Sequence, residues 1–510
     1  MANRKISPGG VINGAVELPG DKSISHRYAI ISALAEGKSE IANYASAADC
    51  RSTLECLRRL GVEIETKDRL VRITGKGLDG FEEPRKPLDA ENSGSTMRML
   101  SGVLAGQPFH SVITGDDSLR RRPMRRIIDP LRQMGADIHG DDRGCAPLEI
   151  RGGNLHAIDY TPPTPSAQVK SAVLFAGLYA GGVTTVHESV CTRDHTELAL
   201  REFGANVEPS RGTIRIHPRP KLTARQLTVP GDLSGGVFLM AAALILPGSS
   251  LMLHNVGLNP TRSRVLDFLV SIGAKVHVPN LVSRAGELVG DVAVNHAPLT
   301  GGEISGAQVA EMIDELPMLA ALGPFTEEGI EIHDAQELRV KESDRIATLA
   351  AGLRAMGARV EEFPDGLFVA GRAQSAGQPG REGREDRAAL AEPEAGEARS
   401  AQASQAQGTL RGEATHSGKL TRAPETGANA PNASEAVTNA RGGGAYAPEG
   451  AAGKTLRGAT IDPHGDHRIA MALAVAALGA EGKTTIRDAE CVGVSFPEFF
   501  ATLDRLRGAS

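Results

Sequence analysis

The chain of 510 residues contains no tryptophan, and aromatic residues make up only 3% of it. Sites that stack the bases of single-stranded nucleic acid need aromatic side chains, so this composition disfavours them. Basic residues are not in excess either, because 56 lysines and arginines stand against 62 acidic residues for a net charge of −6. We therefore expect no nucleic-acid partner, although this balance leaves room for a local basic pocket that binds a small anion.

Cysteine is scarce, and the five cysteines are scattered without a CxxC pair. This pattern disfavours a structural zinc site and a disulfide framework, and it favours a reducing cytoplasm. The longest unbroken apolar run, Val237 to Leu246, is too short to span a bilayer. The N-terminus lacks the apolar segment of a secretory signal peptide. We expect a cytoplasmic protein without membrane contact.

What the sequence does contain is a distinctive helix opening at Leu18 to Arg27. A Pro-Gly turn precedes Asp21, which is a good N-cap for a helix with apolar residues at helical spacing. Lys22 and Ser23 fall in the first turn, where free backbone N–H groups attract anions, and Arg27 lies one turn further along the same face. This combination is typical of a phosphate site, and a capped surface helix with solvated charges is the alternative.

Similar openings recur at 92–98, 166–170, 230–234, 306–308 and 465–468. Their spacing is about 70 residues once a low-complexity stretch, 373–455, is set aside. A second marker, an apolar residue followed by glycine and a strand-like run, has the same period and occurs at Gly61, Gly135, Gly204, Gly273 and Gly357, with a truncated copy at Gly508. Helices alternate with short strands in each unit, which predicts an α/β protein. Because Leu18–Ser23 resembles Val229–Ser234, we expect two halves of three units each, with a small-molecule site in the cleft between them.

Residues 373–455 differ from the rest of the chain, since Ala, Gly, Glu, Arg, Gln and Ser dominate there. A segment of this composition cannot bury enough apolar surface to offset its ordering entropy. We predict a disordered insertion that leaves the fold intact. A regulatory or docking segment is the alternative.

Three further motifs carry chemistry. Ser118 to Arg126 contains five arginines in nine residues, and we expect at least one to turn inward as a clamp for phosphate or carboxylate. Asp314 lies among apolar residues that a helix would bury, and a carboxylate held in such a helix near cations is a candidate acid or base. His464 and His467 flank Asp466, but their spacing does not match a zinc site and we predict no metal.

Together these motifs resemble the 3-phosphoshikimate 1-carboxyvinyltransferases, the enolpyruvylshikimate phosphate synthases of the shikimate pathway. The likeness runs from residue 6 to 500 outside 373–455 and rests on 21–27, 92–98, 122–123, 166–168, 339–345 and 465–471. It implies two domains, 19–229 and 1–18 with 230–510, each of three β-α-β-α-β-β units. This is the enolpyruvyl transferase fold, an inside-out α/β barrel, with the active site in the interdomain cleft.

The resemblance also implies a reaction. The carboxyvinyl group of phosphoenolpyruvate is transferred to the 5-hydroxyl of shikimate 3-phosphate, through a tetrahedral adduct, and phosphate is released. No metal or organic cofactor takes part. The partners are these two small anionic substrates, and we expect a monomer. The alternatives are a sister carboxyvinyltransferase that acts on a UDP-linked amino sugar, and an inactive repeat protein that only binds anionic metabolites.

Site residues follow from the same resemblance. Those implied for shikimate 3-phosphate are Lys22, Ser23, Arg27, Ser166, Ala167, Gln168, Arg193, Asp314 and Lys341. Those implied for phosphoenolpyruvate are Lys22, Gly94, Arg122, Gln168, Lys341, Arg345 and Arg468. Asp314 is the implied base for the 5-hydroxyl, Glu342 the proton donor to the methylene carbon, and Lys22 shares the proton transfers. Many family members carry lysine where this chain has Val494, so one phosphoenolpyruvate contact is expected to be missing or replaced.

Overall fold

The computed structural model describes residues 3–375 and 456–508. The predicted disorder of 373–455 lies outside this part, apart from Ala373–Ser375 at the end of a short helix. The strands are β1 (Arg4–Ile6), β2 (Asn13–Glu17), β3 (Glu36–Ala42), β4 (Glu63–Lys67), β5 (Leu70–Lys76), β6 (Leu88–Asp89), β7 (His110–Thr114), β8 (Asp137–His139), β9 (Leu148–Arg151), β10 (Asp159–Tyr160), β11 (Thr184–His187), β12 (Val207–Ser210), β13 (Thr213–Ile216), β14 (Gln226–Thr228), β15 (Ser250–Gly257), β16 (Lys275–His277), β17 (Leu281–Arg284), β18 (Glu287–Asn295), β19 (Gly302–Ile304), β20 (Ile330–Ile332), β21 (Val360–Phe363), β22 (Gly366–Val369), β23 (Thr460–Ile461) and β24 (Thr484–Ile486).

The α-helices are α1 (Lys22–Leu34), α2 (Ala48–Arg59), α3 (Gly94–Leu104), α4 (Arg125–Gln133), α5 (Ala167–Gly177), α6 (His195–Glu202), α7 (Leu233–Ile245), α8 (Arg264–Ser271), α9 (Ala307–Met312), α10 (Leu316–Ala321), α11 (Arg345–Ala355), α12 (Arg372–Ser375), α13 (His467–Leu478) and α14 (Phe499–Leu506). Short 3-10 helices occupy Leu119–Arg121, Gly323–Phe325, Gln336–Val340 and Ala489–Val494. In the described part of the chain, no helix is both long enough and apolar enough to cross a membrane.

The sheets repeat one pattern of four strands. The first and second strands of the sheet order are parallel, the third is antiparallel to the second, and the fourth is antiparallel to the third. The orders are β6-β7-β9-β8, β10-β11-β13-β12, β14-β3-β5-β4, β19-β20-β22-β21 and β2-β15-β18-β16, with β17 also on β18. A further sheet, β23-β24-β1, keeps the parallel and the first antiparallel pairing. In chain order β6, α3, β7, α4, β8 and β9 form one β-α-β-α-β-β unit. The predicted α/β fold class and its repeats are confirmed.

Two hydrophobic cores follow the same division of the chain. One contains buried residues between Ile24 and Val229. The other contains Ile6 to Leu18 together with Leu233 to Leu506. The N-terminal strands contribute to the second set of sheets, because β2 pairs with β15 and β1 with β24. We call 19–229 the first half and the remaining described residues the second half; that they are two domains stays a prediction.

The predicted helix openings are the N-termini of α1, α3, α5, α7, α9 and α13. Helix α1 departs from the expected apolar stripe, since every residue from Ile24 to Leu34 is buried. A helix buried on all faces lies inside a core rather than on its surface. In the first half α3 packs on α1 and α5, and in the second half α7, α10 and α13 pack on one another. The sheets therefore surround central helices whose N-termini are available to build a site.

The repeated glycines have a conformational role. Gly61, Gly135, Gly204, Gly273 and Gly357 follow helices α2, α4, α6, α8 and α11, with positive φ between 85° and 103°. A left-handed residue just after a helix satisfies its last carbonyl groups and turns the chain toward the next strand. Glycine adopts this conformation without the steric cost that a Cβ brings.

Candidate active site

A cavity of about 350 Å³ lies where the N-termini of α1, α3 and α5 face residues of the second half. Eight basic and five acidic side chains line it: Lys22, Arg98, Arg122, Arg126, Arg193, Lys341, Arg345 and Arg468, with Asp49, Asp314, Asp334, Glu337 and Glu342. Ser23, Gly94, Ser166, Ala167 and Gln168 also line it. The structure thus brings together every residue predicted for the site except Arg27.

The helix N-termini are shaped by side-chain caps. The carboxylate of Asp21 accepts a hydrogen bond from the backbone N–H of Ile24 at 2.9 Å, and Ser93 accepts one from Thr96 at 3.1 Å. Ser166 accepts one from Val169 at 3.4 Å. A cap satisfies only part of the first turn, and the end of each helix keeps its partial positive charge. Three such ends on one wall favour anionic ligands.

Arg27 lies behind this wall, 3% exposed. Its guanidinium donates to the carbonyl of Ser23 at 2.8 Å, to the hydroxyl of Thr196 at 2.6 Å and to that of Ser171 at 3.0 Å. Burial lowers the pKa of Arg27 to about 10. Its predicted direct contact with substrate stays a prediction, whereas its contact with the backbone of Ser23 is part of the structure.

Asp314 occupies a break between helices. The sequence placed it within a helix, but α9 ends at Met312 and α10 begins at Leu316. The carboxylate of Asp314 lies 2.7 Å from Nη2 of Arg193 and 3.8 Å from Nη2 of Arg468. Burial opposes its ionisation, but Arg468 and then Arg193 outweigh burial and hold its pKa well below the usual range. Asp314 is therefore an anion in the free protein.

Glu342 lines the same cavity as Asp314 and lies just before α11. Its carboxylate lies 2.5 Å from Nη2 of Arg345 and 3.8 Å from Nη1 of Arg122. Burial again opposes ionisation, and Arg345 followed by Arg122 outweighs it, so the pKa of Glu342 is well below its usual range. Arg345 is itself fixed, because its Nε lies 2.8 Å from the buried carboxylate of Asp466.

Two lysines complete the polar lining. Nζ of Lys22 lies 2.9 Å from Asp49. Burial opposes the charge on Lys22, but Asp49 helps to outweigh it, and its pKa is raised. Lys341 behaves in the opposite way, since burial lowers its pKa despite the nearby Asp314 and Glu337. Lys341 is thus the lysine of the pair that releases a proton more readily.

Arg98 is a cavity residue that the sequence analysis missed, although it ends the quoted motif at 92–98. Its Nη1 donates to Oε1 of Gln168 at 2.6 Å, and Nε2 of Gln168 donates to Ser95 at 2.9 Å. Burial lowers the pKa of Arg98 to about 9. The available signal was its spacing, because a residue four beyond Gly94 lies one turn along the same helix face.

The rim of the cavity carries a pair that joins the halves. Nη1 of Arg126, on α4, lies 3.1 Å from Oε1 of Glu337, in the 3-10 helix Gln336–Val340. Of the arginine-rich stretch, Arg122 and Arg126 line the cavity. Val494 is not among the residues that line it, and the expected loss of one phosphoenolpyruvate contact stays a prediction. Within 3–375 and 456–508, no group of three or more His, Cys, Asp or Glu side chains could hold a metal ion.

Comparison with known proteins identifies the family. The family model described as EPSP synthase (3-phosphoshikimate 1-carboxyvinyltransferase) matches residues 6–380 and 439–503. The chain belongs to the EPSP synthase family. The two matched segments are separated within the predicted insertion at 373–455. The EPSP synthases carry out the transfer that the sequence motifs implied, so the chain is an enzyme of the transferase class.

Relatives of this EPSP synthase family member agree over its full length. A 3-phosphoshikimate 1-carboxyvinyltransferase of Solibacter usitatus is 47% identical over 504 residues, 99% of each chain. One of Pelotomaculum thermopropionicum is 44% identical over 96% of this chain and 95% of the relative. The solved EPSP synthase of Acinetobacter baumannii, 34% identical, matches with a TM-score of 0.75 over 99% and 98% of the two chains. The enolpyruvyl transferase NikO of Streptomyces tendae, 17% identical at a TM-score of 0.67, shares the fold.

Proposed function

We propose that this chain transfers the carboxyvinyl group of phosphoenolpyruvate to the 5-hydroxyl of shikimate 3-phosphate within the cavity described above. The observation that carries the proposal is the placement of Asp314 and Glu342 in one cavity with eight basic side chains. Two substrates that each carry a phosphate and a carboxylate need such a lining. A protein that only bound anions would have no use for two carboxylates among those cations.

The acceptor substrate is assigned to the wall nearest α1 and α5. Ser23, Ser166, Ala167 and Gln168 offer hydroxyl, amide and backbone donors at helix N-termini. Arg193 supplies the guanidinium for the phosphate, and Lys341 and Asp314, which contacts Arg193, are assigned to the ring hydroxyls. Arg27 supports this wall through the carbonyl of Ser23.

Phosphoenolpyruvate is assigned to the remaining cations. Arg122, Arg345 and Arg468 are planar, permanently charged clamps suited to carboxylate and phosphate, and Lys22 adds a point charge. Gly94 leaves room beside Arg98 and Arg122, and Gln168 lies between the two substrates.

The proton transfers follow from the charges. Asp314 takes the proton of the 5-hydroxyl while the hydroxyl oxygen bonds to C2 of phosphoenolpyruvate. Glu342 donates a proton to C3, which becomes a methyl group. In the second step the C2–O bond to phosphate breaks, the methyl group returns its proton to Glu342, and the departing phosphate takes up the proton that Asp314 holds. Arg345 and Arg122 depress the pKa of Glu342, and substrate anions that pair with these arginines neutralise their charge. Its pKa then rises, and the carboxyl group can carry the proton that it donates.

We also propose that the chain acts as a cytoplasmic monomer whose halves, 19–229 and 1–18 with 230–510, are domains that close on substrate. The supporting observation for two closing domains is that residues of both halves line the cavity, so that movement of one half toward the other would enclose the substrates.

Phosphate release tests the reaction. Purified protein should release phosphate only when both shikimate 3-phosphate and phosphoenolpyruvate are present, and equally well with a metal chelator. Turnover with a UDP-linked amino sugar and none with shikimate 3-phosphate would assign the acceptor to the sister reaction. Binding of both substrates without release would indicate an inactive binder.

The roles of the carboxylates are tested by Asp314→Asn and Glu342→Gln. Each removes one proton-transfer group and should lower kcat by about 100-fold or more, with both substrates still bound. Glu311→Gln is the matched control, because Glu311 precedes Asp314 by less than one helical turn and pairs with Arg264 outside the cavity. Full turnover in either cavity variant would remove the corresponding assignment.

A further inference from the structure

A buried ionic cluster lies behind the acceptor wall. Lys170, on helix α5, is 1% exposed. Its Nζ lies 2.9 Å from Oε2 of Glu188 and 2.7 Å from Oε1 of Glu197. Burial opposes the charge on Lys170, but Glu197 and Glu188 outweigh it and raise its pKa. The ammonium group is therefore permanently charged at neutral pH, and none of the three side chains lines the cavity.

The cluster holds the loop between β11 and α6, which contains Glu188 and Thr192. Nζ of Lys170 donates to the carbonyl of Thr192 at 3.3 Å. Oε1 of Glu188 accepts hydrogen bonds from the backbone N–H of Thr192, at 3.1 Å, and from its hydroxyl. The buried ion pair of Lys170 and Glu188 therefore binds both the backbone carbonyl and the backbone N–H of Thr192. Thr192 and the next residue, Arg193, line the cavity.

The same cluster fixes this loop to the N-terminus of α5. The backbone N–H of Lys170 donates to the carbonyl of Ser166 at 3.0 Å, so Lys170 lies one turn into the helix that Ser166 caps. The next side chain, Ser171, lies 2.7 Å from the hydroxyl of Thr196, and Arg27 donates to both. Elements that carry Arg27, Ser166 and Arg193 are therefore joined behind the wall.

We propose that Lys170 and Glu188 are positioning residues for the acceptor substrate, which set the place of Arg193 relative to the N-terminus of α5. This inference rests on the proposed function. The cations assigned to phosphoenolpyruvate pair elsewhere: Arg122 with Glu342, Arg345 with Asp466, and Arg468 with the carbonyl of Asp314. Loss of the cluster should therefore act on one substrate and spare the other.

Lys170→Met and Glu188→Gln test the proposal. Lys170→Met removes the cation and leaves two buried carboxylates, while Glu188→Gln keeps the side-chain shape and should fold where the first variant does not. Each should raise KM for shikimate 3-phosphate about tenfold or more, because small displacements of a substrate-positioning group have large effects. KM for phosphoenolpyruvate should stay within about twofold, and kcat should fall by less than KM rises.

Two controls separate positioning from general effects. Lys38→Met removes an equally charged side chain from an exposed pair with Glu65. Leu174→Ala leaves a cavity in the buried part of α5, one helical turn beyond Lys170, and removes no charged group of the cluster. Equal rises of both KM values, or a rise in Leu174→Ala matching that in Glu188→Gln, would overturn the proposal. Wild-type turnover is measured first, since its absence would contradict the proposed function instead.

Discussion

At the scale of single residues, Gly94 is a cavity position with little room for a side chain. A Cβ there would lie 2.8 Å from Nη1 of Arg98 and 3.5 Å from Nη1 of Arg122. We expect Gly94→Ala to displace the guanidinium of Arg98 from Gln168 and to raise KM for phosphoenolpyruvate about tenfold. Gly153→Ala is the matched control, because its Cβ would meet nothing within 4 Å. An unchanged KM in Gly94→Ala would show that Arg98 can move without cost.

The sequence predicted that a residue lines the cavity only where a motif contains that residue. Lys22, Ser166 and Arg468 each follow a recognisable helix opening, and all three line the cavity. Arg98 ends such an opening one turn into its helix, whereas Arg126 belongs to none, and the inward direction of both depends on which helix face meets the other half. That choice is made by tertiary packing, which a single sequence does not contain. The position of Arg27 behind the wall has the same cause.

At the scale of elements, two aspartates both cap a helix and pair with an arginine, but one is buried and the other is exposed. Asp466 caps α13 and lies 2.8 Å from Nε of Arg345, with 0% of its side chain exposed. Asp344 caps α11 and lies 2.8 Å from Arg339, with 40% exposed. Asparagine retains the capping oxygen in both, so the difference between the two variants reports the ion pair.

We expect Asp466→Asn to lower the free energy of unfolding by about 3 kcal/mol, because it leaves the buried Arg345 with only one of its two carboxylate partners, Glu342. Asp344→Asn should cost less than about 1 kcal/mol, since its pair is open to solvent. Denaturant unfolding of both variants gives the comparison. Equal losses would mean that the buried pair adds nothing beyond the cap.

Helix starts were the most predictable elements, because a cap and its first turn are local in sequence. The helix predicted through Asp314 was wrong, because contacts that are distant in sequence determine the structure there. Nothing between Glu311 and Pro317 is a strong local breaker except the proline, which is tolerated in a first helical turn. The break at Asp314 coincides with its contacts to Arg193 and Arg468, residues that lie far away in sequence. The strand pairings β2–β15 and β14–β3 are equally non-local.

At the scale of the whole molecule, two short segments connect the halves and bond to each other. The backbone N–H of Asp21 donates to the carbonyl of Pro230 at 2.7 Å, and that of Asp232 to the carbonyl of Pro19 at 2.9 Å. Arg262, 3% exposed, lies across both segments, with Nε 3.1 Å from Asp21 and Nη2 2.9 Å from Asp232. Since Asp21 caps α1 and Asp232 caps α7, one guanidinium pairs with the first cap of each half.

Arg262→Met should therefore destabilise the protein in a pH-dependent way. Burial raises the pKa of Asp21, but Arg262 and then His195 outweigh it, so its pKa lies below the usual 3.8. A depressed carboxyl pKa adds stability at pH values above 3.8, and this is lost as the pH falls through the folded-state pKa. Without Arg262, burial dominates and the pKa of Asp21 rises. The loss in Arg262→Met should then be about 3 kcal/mol near neutral pH and shrink toward pH ~4, where Asp21 becomes protonated.

Urea unfolding at a series of pH values measures this difference between Arg262→Met and the wild type. Arg264→Met is the matched control, because Arg264 is 49% exposed and pairs with Asp267 and Glu311 at the surface. It should cost less than about 1 kcal/mol at every pH. A loss in Arg262→Met that did not change with pH would mean that Arg262 acts by packing between the two connecting segments. A loss that shrinks in acid would show that its charge joins the halves.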